Sequence, residues 1–406
     1  MEFDKSEKFM NDAAIKKLTG NIKTIISDPL VGYGFSGIQC DMTPFESIAK
    51  ELNKRDKDFQ LDKYSCKLIY LDAAREFKKK NGDQQSLSEL SIAQKDELAS
   101  YILGHYLATP LKYDVIVPLE WLKPLGYHKV GTAVTISEGK RLIFSLLPDN
   151  YESYVEIKIS MWGFFSYDTE KLFLKETLQT LSILMFMLKQ NGVVYSSRAY
   201  DKIPSALDVL SDKHKKFLSV DARLLCEKYD YFNSYLSFPI SVSKYINELA
   251  LTEDFSLLKT DAANDMVRVA LTVATELLDN NSDEATRVKS AIGWFIQAEI
   301  NEDDTMSFIQ VCMGLESIFG DNESEGGLTN SLADRCAYLI GRNISERKQI
   351  KDEFKEMYRV RSKIVHGVKN HLTQNEEHVR NRAFYYLRKS ILKEIRNLRD
   401  LPERKL

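Results

Sequence analysis

Residues 357–367, MYRVRSKIVHG, place Arg359, Arg361 and Lys363 at alternate positions and follow them with His366 and Gly367. Arginine and histidine are together sufficient to cleave RNA without a metal, because the substrate carries its own nucleophile in the 2′-OH. An imidazole, which ordinarily titrates near ~6.5, can take the 2′ proton or protonate the leaving 5′ oxygen at cellular pH. A guanidinium can grip a phosphate oxygen with two N–H donors and stabilise the charge that builds as phosphorus becomes five-coordinate. Arg361 and His366 are the candidates for these two roles. The blander reading is a solvated basic helix end, since cations favour the negative C-terminal pole and glycine commonly follows the last turn.

Five positions on an ideal helix turn through about 140°, so Arg361 and His366 of one chain cannot point at one small ligand unless the helix breaks or a second copy contributes. Other constellations are weaker. Gly32, Gly34 and Gly37 satisfy G-x-G-x-x-G, but a dinucleotide fingerprint follows a buried strand and opens directly into a helix. Here Pro29 precedes the glycines and the next helix start signal is Thr43, so a flexible glycine loop fits better. His105, His128, His214, His371 and His378 are isolated, with no H-x-x-x-H or H-E-x-x-H pair to hold a metal. No G-x-S-x-G elbow or G-K-[ST] phosphate loop occurs. No cofactor and no metal is expected.

The elements that must carry the basic cluster can be read from the pattern around it. At 406 residues the chain exceeds one typical core, which predicts two or three domains. With 44% hydrophobic and 28% charged residues, the composition is that of a globular protein. A net charge of −3 gives no global pull toward nucleic acid, so affinity for RNA has to come from a local cluster. Cys40, Cys66, Cys226, Cys312 and Cys336 are scattered and never form C-x-x-C, which predicts reduced, buried thiols and a cytoplasmic setting. The first residues mix acids and bases, unlike a signal peptide. The longest apolar run, LSILMFML at 181–188, falls well short of the roughly 20 residues a membrane helix requires. It reads, Met185 and Met187 included, as core.

The expected fold class is α+β. Residues 43–110 read as mainly helical, with TPFE at 43–46 as a capping box and Pro44 at the first helical position. From about 111, the stretches YDVIVPLEWL, GTAVTIS, KRLIFSLL and SYVEIKISMWGFF predict a small antiparallel β unit. A helix follows from Thr169 to Gly192, with Asp168 or Thr169 as N-cap. Residues 1–192 would form an N-terminal α+β domain, 193–260 a connecting helical region of mixed pattern, and 261–406 an all-α bundle. In the last, apolar spacing predicts helices near 262–279, 284–300, 304–319, 329–341, 345–366 and 375–399, with the loop GDNESEGG at 320–327.

Arg361-Ser-Lys-Ile-Val-His366 on a late helix of such a bundle resembles the R-x4-H nuclease motif of HEPN domains. AIGWFIQA (291–298), FIQVCMGLESIFG (308–320), SLADRCAYLIG (331–341) and MYRVRSKIVHG resemble, in order and spacing, the ApeA-like HEPN branch of bacterial proteins. The resemblance covers roughly residues 265–400; YDVIVPLEWL is a vaguer match to the β-containing region that precedes HEPN in those proteins. It implies a homodimer in which two R-x4-H segments face each other across a two-fold axis and form one metal-independent endoribonuclease site. It also implies antiphage defence by abortive infection, with host or phage RNA as substrate, transfer RNA among the candidates. The N-terminal region would sense a phage-derived trigger or restrain the site. Carried over residue by residue, Arg361 would hold the scissile phosphate and His366 would move protons. Ser362 stands where many catalytic HEPN motifs have Asn, Asp or His; its hydroxyl can hydrogen-bond but orients a neighbour more weakly. Arg359 and Lys363 would support RNA binding, and Glu316 in GLES and Arg335 in ADRCA occupy recurring polar positions of the branch. The plain alternative for those two is an inter-helix ion pair.

The tail from Asn381, with Arg380 just before it, holds nine Lys or Arg against three acids. It could hold RNA phosphates or simply be a solvated basic face. Phe384, Leu387 and Ile391 are spaced to face the bundle, which leaves base stacking to Tyr385 or Tyr386. A rival function from another class is a non-catalytic HEPN module for dimerisation or ligand sensing, binding RNA or nucleotide without cutting it.

Overall fold

The computed structural model describes residues 10–28, 41–55, 61–81, 90–142, 151–163, 167–196, 219–320 and 328–400. The glycine triad at 32–37, Cys40, His214, most of the GDNESEGG loop and the last six residues lie outside this set. The chain is mixed α+β and forms two compact units that interleave along the sequence. One comprises Met1–Ile116, Ile159–Glu176 and Ala222–Leu236; the other comprises Val117–Lys158, Thr177–Asp221 and Ser237–Leu406.

In the first unit, helices α1 (Asp12–Ser27), α2 (Thr43–Asn53), α3 (Lys63–Asn81) and α4 (Ile92–Leu107) pack in succession. Each buries one stripe, as Leu18, Ile22, Ile25 and Ile26 do in α1. Ser91 and Gln94 form a reciprocal capping box at the start of α4. The box expected at Thr43 is not formed: Thr43 is already helical, Met42 is the cap residue, and the Asp41 carboxylate accepts the Thr43 amide at 2.9 Å. Asp41 takes that amide because it lies two residues upstream, the ordinary reach of a side-chain turn.

Strand β1 (Leu111–Leu119) alternates buried and half-buried residues along its length. The other strands among the described residues are β2 (His128–Val130), β3 (Val134–Leu142), β4 (Tyr151–Gly163), β5 (Val194–Ser196), β6 (Asp221–Cys226), β7 (Ser234–Ser237) and β8 (Leu249–Leu251). Six of them form a sheet of order β2-β3-β4-β1-β6-β7, and β5 pairs antiparallel with β8. The register of β1 on β6 is antiparallel, Tyr113 facing Cys226 and Ile116 facing Arg223. Gly139 does not separate two strands but lies inside β3, where a Cβ would sit 2.4 Å from the Tyr154 ring; the glycine makes room for that ring. Residues 193–260, expected as connecting helical chain, contain strands β5 to β8 as well as the short helices α6 (Ile240–Asn247) and α7 (Glu253–Ser256).

Helix α5 (Tyr167–Gln190) begins ahead of both caps suggested for it and ends where Gly192 takes φ +70°. The later helices are α8 (Thr260–Asp279), α9 (Asp283–Ile300), α10 (Asp304–Phe319), α11 (Leu328–Ile340), α12 (Ile344–Val365) and α13 (Glu377–Asp400). Ser282, Asp303 and Asn343 cap α9, α10 and α12 by accepting backbone amides of the first turn. Helices α9 to α13 pack on one another. Phe308, Val311, Cys312 and Leu315 of α10 are fully buried, and Phe295 meets Phe384 edge-on at 5.5 Å. At Gly314 a Cβ would come within 2.6 Å of Leu387, so the absence of a side chain lets α13 close on α10. Among the described residues, no helix is long and apolar enough to cross a membrane.

Candidate active site

Helix α12 buries Ile350, Phe354, Met357, Tyr358 and Val360, and its other residues are half-buried or exposed. Arg359, Ser362 and Lys363 are exposed on the last two turns, while Arg361 is half-buried. The helix stops at Val365 with His366 as its C-cap residue. Gly367 turns into the left-handed region at φ +69°, and nothing lies within 4 Å of where its Cβ would be, so conformation and not crowding calls for glycine. The Gly367 amide donates to the Ile364 carbonyl at 3.0 Å and the Lys369 amide to the Lys363 carbonyl at 3.0 Å. These bonds turn the chain away from the helix axis and leave His366 exposed at the tip.

Arg361 meets Glu316 of α10: Nη2 lies 3.0 Å from Oε1 and 3.3 Å from Oε2. Each side chain keeps 27% of its surface exposed, so the pair sits at the edge of the packed helices. The guanidinium carbon lies 5.8 Å from the centre of the Tyr358 ring, which stacks on Phe354 at 4.8 Å. Burial, followed by the neighbouring Cys312 and Glu316, holds the Tyr358 phenol protonated well above its usual range. Arg361 Nε–H is buried without a hydrogen-bond partner among the described residues. One edge of the guanidinium is therefore spent on a carboxylate and another donor is unspent.

Arg335 donates from Nη1 to the Phe319 carbonyl at 2.8 Å, placing a cation at the negative end of the helix that carries Glu316. The structure thus brings Glu316 to Arg361 and places Arg335 at the nearby end of α10. It does not join Arg361 to His366: among the described residues no hydrogen bond links them, as expected from their rotation about the helix.

Past His366 the chain is pinned. Lys369 pairs with Glu376, whose carboxylate also accepts the Thr373 amide at 3.0 Å and hydroxyl at 2.8 Å. The Lys369 ammonium, followed by those Thr373 bonds, pulls the Glu376 carboxyl down to about 2. The Leu372 amide donates to Thr305 Oγ1 at 3.0 Å, and Arg380 pairs with Asp304 at 2.9 Å, so the segment is held on the start of α10. Sequence reasoning missed this brace, although Thr373-x-x-Glu376 is a legible capping box. Tyr358 was missed because it lies in the apolar row of α12 and reads as core.

In the tail, Leu387 and Ile391 are fully buried and Phe384 packs on Phe295. Tyr386 is buried with its hydroxyl on Glu353, while Tyr385 is 46% exposed. Arg382 and Arg399 are paired with Glu353 and Glu276. Among the described residues no three His, Cys, Asp or Glu side chains gather as a metal site, and Cys66, Cys226, Cys312 and Cys336 are buried free thiols. Compared with protein families, with curated proteins and with solved structures, the chain matches none.

Proposed function

We propose that the chain is a HEPN-type, metal-independent endoribonuclease that acts as a homodimer in the cytoplasm. The observation that carries this reading is the end of α12, where a guanidinium held by Glu316, two exposed cations and an exposed imidazole share the last two turns. Val365 and Val368 flank His366 with 52% and 75% of their surface exposed, apolar area that a second copy would cover. In such a dimer one His366 takes the proton of the ribose 2′-OH as its oxygen bonds to phosphorus. The other His366 gives a proton to the 5′ oxygen as the P–O5′ bond breaks, leaving a 2′,3′-cyclic phosphate. Arg361 offers its remaining N–H donors to the phosphate oxygens as charge accumulates there. Host or phage RNA, transfer RNA included, is the proposed substrate, and the proposed role is to halt infected cells in response to a phage-derived trigger.

The test is to incubate the purified chain with total RNA in the presence of a chelator, beside Arg361→Ala and His366→Ala. Products ending in 2′,3′-cyclic phosphate are expected from the parent, with losses of about 10²- to 10⁴-fold in either variant. Equal cleavage by all three removes the catalytic assignment. The Arg361–Glu316 contact also favours a second reading: a guanidinium already neutralised by a carboxylate suits a module that binds RNA or nucleotide without cutting it. Retained but intact RNA in the same incubation would select that reading.

A further inference from the structure

A cleft of about 340 Å³ lies among α11, α12 and α13, lined by Arg342, Glu346, Glu353, Arg382, Tyr385 and Lys389 among others. It is not the site at the end of α12. From Glu353, the lining residue of α12 nearest that end, to Arg361 is eight residues of helix, or about 12 Å.

The cleft's charges are unevenly committed. The Glu353 carboxylate pairs with Arg382, accepts Gln349 Nε2 at 2.8 Å and takes the Tyr386 hydroxyl. Burial and Glu353 together keep that phenol protonated, so it remains a donor to the carboxylate. Glu346 accepts the Arg342 backbone amide at 2.8 Å. Both acids are therefore engaged inside the protein. The Arg342 guanidinium and the Lys389 ammonium have no carboxylate partner among the described residues, and Lys389 Nζ sits over the Tyr385 ring, 5.5 Å from its centre. Tyr385 is 46% exposed, whereas its neighbour Tyr386 is buried, so part of one ring at this place stays open to solvent. A part-exposed aromatic ring with one cation over it and a second cation lining the same cleft is a combination that receives a base and its phosphate. The volume falls in the range of small-molecule sites.

We propose that this cleft binds a nucleoside phosphate, its base against Tyr385 and its phosphate between Arg342 and Lys389. As a second hold on an RNA chain whose backbone is cut at the end of α12, the cleft rests on the function proposed above; as a nucleoside phosphate site it does not. The same chemistry is offered by a free mononucleotide and by one residue of a single strand.

The experiment measures anisotropy of a short fluorescent oligouridylate with the full chain carrying Arg361→Ala, so that the probe stays whole. Adding Tyr385→Ala or Arg342→Ala is expected to weaken binding about tenfold, and Tyr385→Phe to leave it unchanged, because the ring face is kept. Lys389→Gln should lower the salt dependence by about one counterion. Uridine monophosphate that displaces the probe identifies the free nucleotide as a ligand, and probe binding that it does not disturb identifies the chain. Parent-like binding of the oligouridylate by Tyr385→Ala and by Arg342→Ala overturns the proposal. Arg342 is exposed, so its variant reports even should Tyr385→Ala fold poorly. Oligouridylate held in the cleft while the unsubstituted chain cuts nothing in total RNA would defeat the nuclease reading and leave this site standing.

Discussion

The Arg361 guanidinium lies 3.0 Å from the carboxylate of Glu316, a residue 45 positions earlier on another helix. The contact fixes a side chain that would otherwise sample many rotamers and sets which N–H groups remain for a phosphate. Glu316→Gln keeps the shape and removes the charge. Under the proposed function its cleavage rate is expected to fall about 10- to 100-fold, the range that misplacement of a catalytic group produces. Adding Arg361→Ala should cost no more than Arg361→Ala alone, since the two act as one unit. Additive losses in kcat/KM would separate the residues.

Stability should divide the same pair of motif residues. His366 is exposed, so His366→Ala is expected to stay within about 0.5 kcal/mol of the parent. Arg361→Ala leaves the Glu316 carboxylate unpaired at the helix edge and should cost about 1–3 kcal/mol. Urea unfolding of the two variants, read against their cleavage rates, distinguishes a catalytic loss from a folding loss.

Two glycines should respond in different ways to alanine. Gly367→Ala meets no atom and strains only a positive φ, which costs about 1 kcal/mol. Gly314→Ala meets the buried Leu387 side chain at 2.6 Å and should cost about 1–3 kcal/mol through overpacking, despite the better helix propensity of alanine. Thermal melts with Gly314→Ala as stable as the parent would show that α13 can shift without penalty.

The brace after the motif predicts an acid limit. Lys369 holds the Glu376 carboxyl at about 2, below its ordinary value of 4.5. A carboxyl depressed on folding stabilises the native state above the ordinary value, and that contribution is lost as pH falls from about 4.5 through about 2. Stability measured across that interval should decline less steeply in Glu376→Gln than in the parent. An unchanged slope would mean that the Lys369 contact does not persist in solution.

Much of the helical part was legible. The expected helices at 262–279, 284–300, 304–319, 329–341, 345–366 and 375–399 lie within about two residues of α8 to α13, because their apolar stripes are regular. The sheet was legible only where neighbours in sequence pair. Strand β6 joins β1 from about a hundred residues away, and no local pattern encodes such a partner. Gly139 looked like punctuation because the ring that occupies its missing Cβ belongs to another strand. At the candidate site the cations and the glycine stop could be read directly from MYRVRSKIVHG. That Glu316 faces Arg361 could not, since it depends on how α10 and α12 align across an interface.

The alternation of the two compact units along the chain governs how the protein can be dissected. The unit holding α12 is assembled from Val117–Lys158, Thr177–Asp221 and Ser237–Leu406, so a fragment beginning at any single point either omits part of it or carries orphaned pieces of the other. Gene truncation is consequently a poor tool here. Point substitutions and chemical cross-links in the intact polypeptide are the means by which its halves can be assigned separate duties.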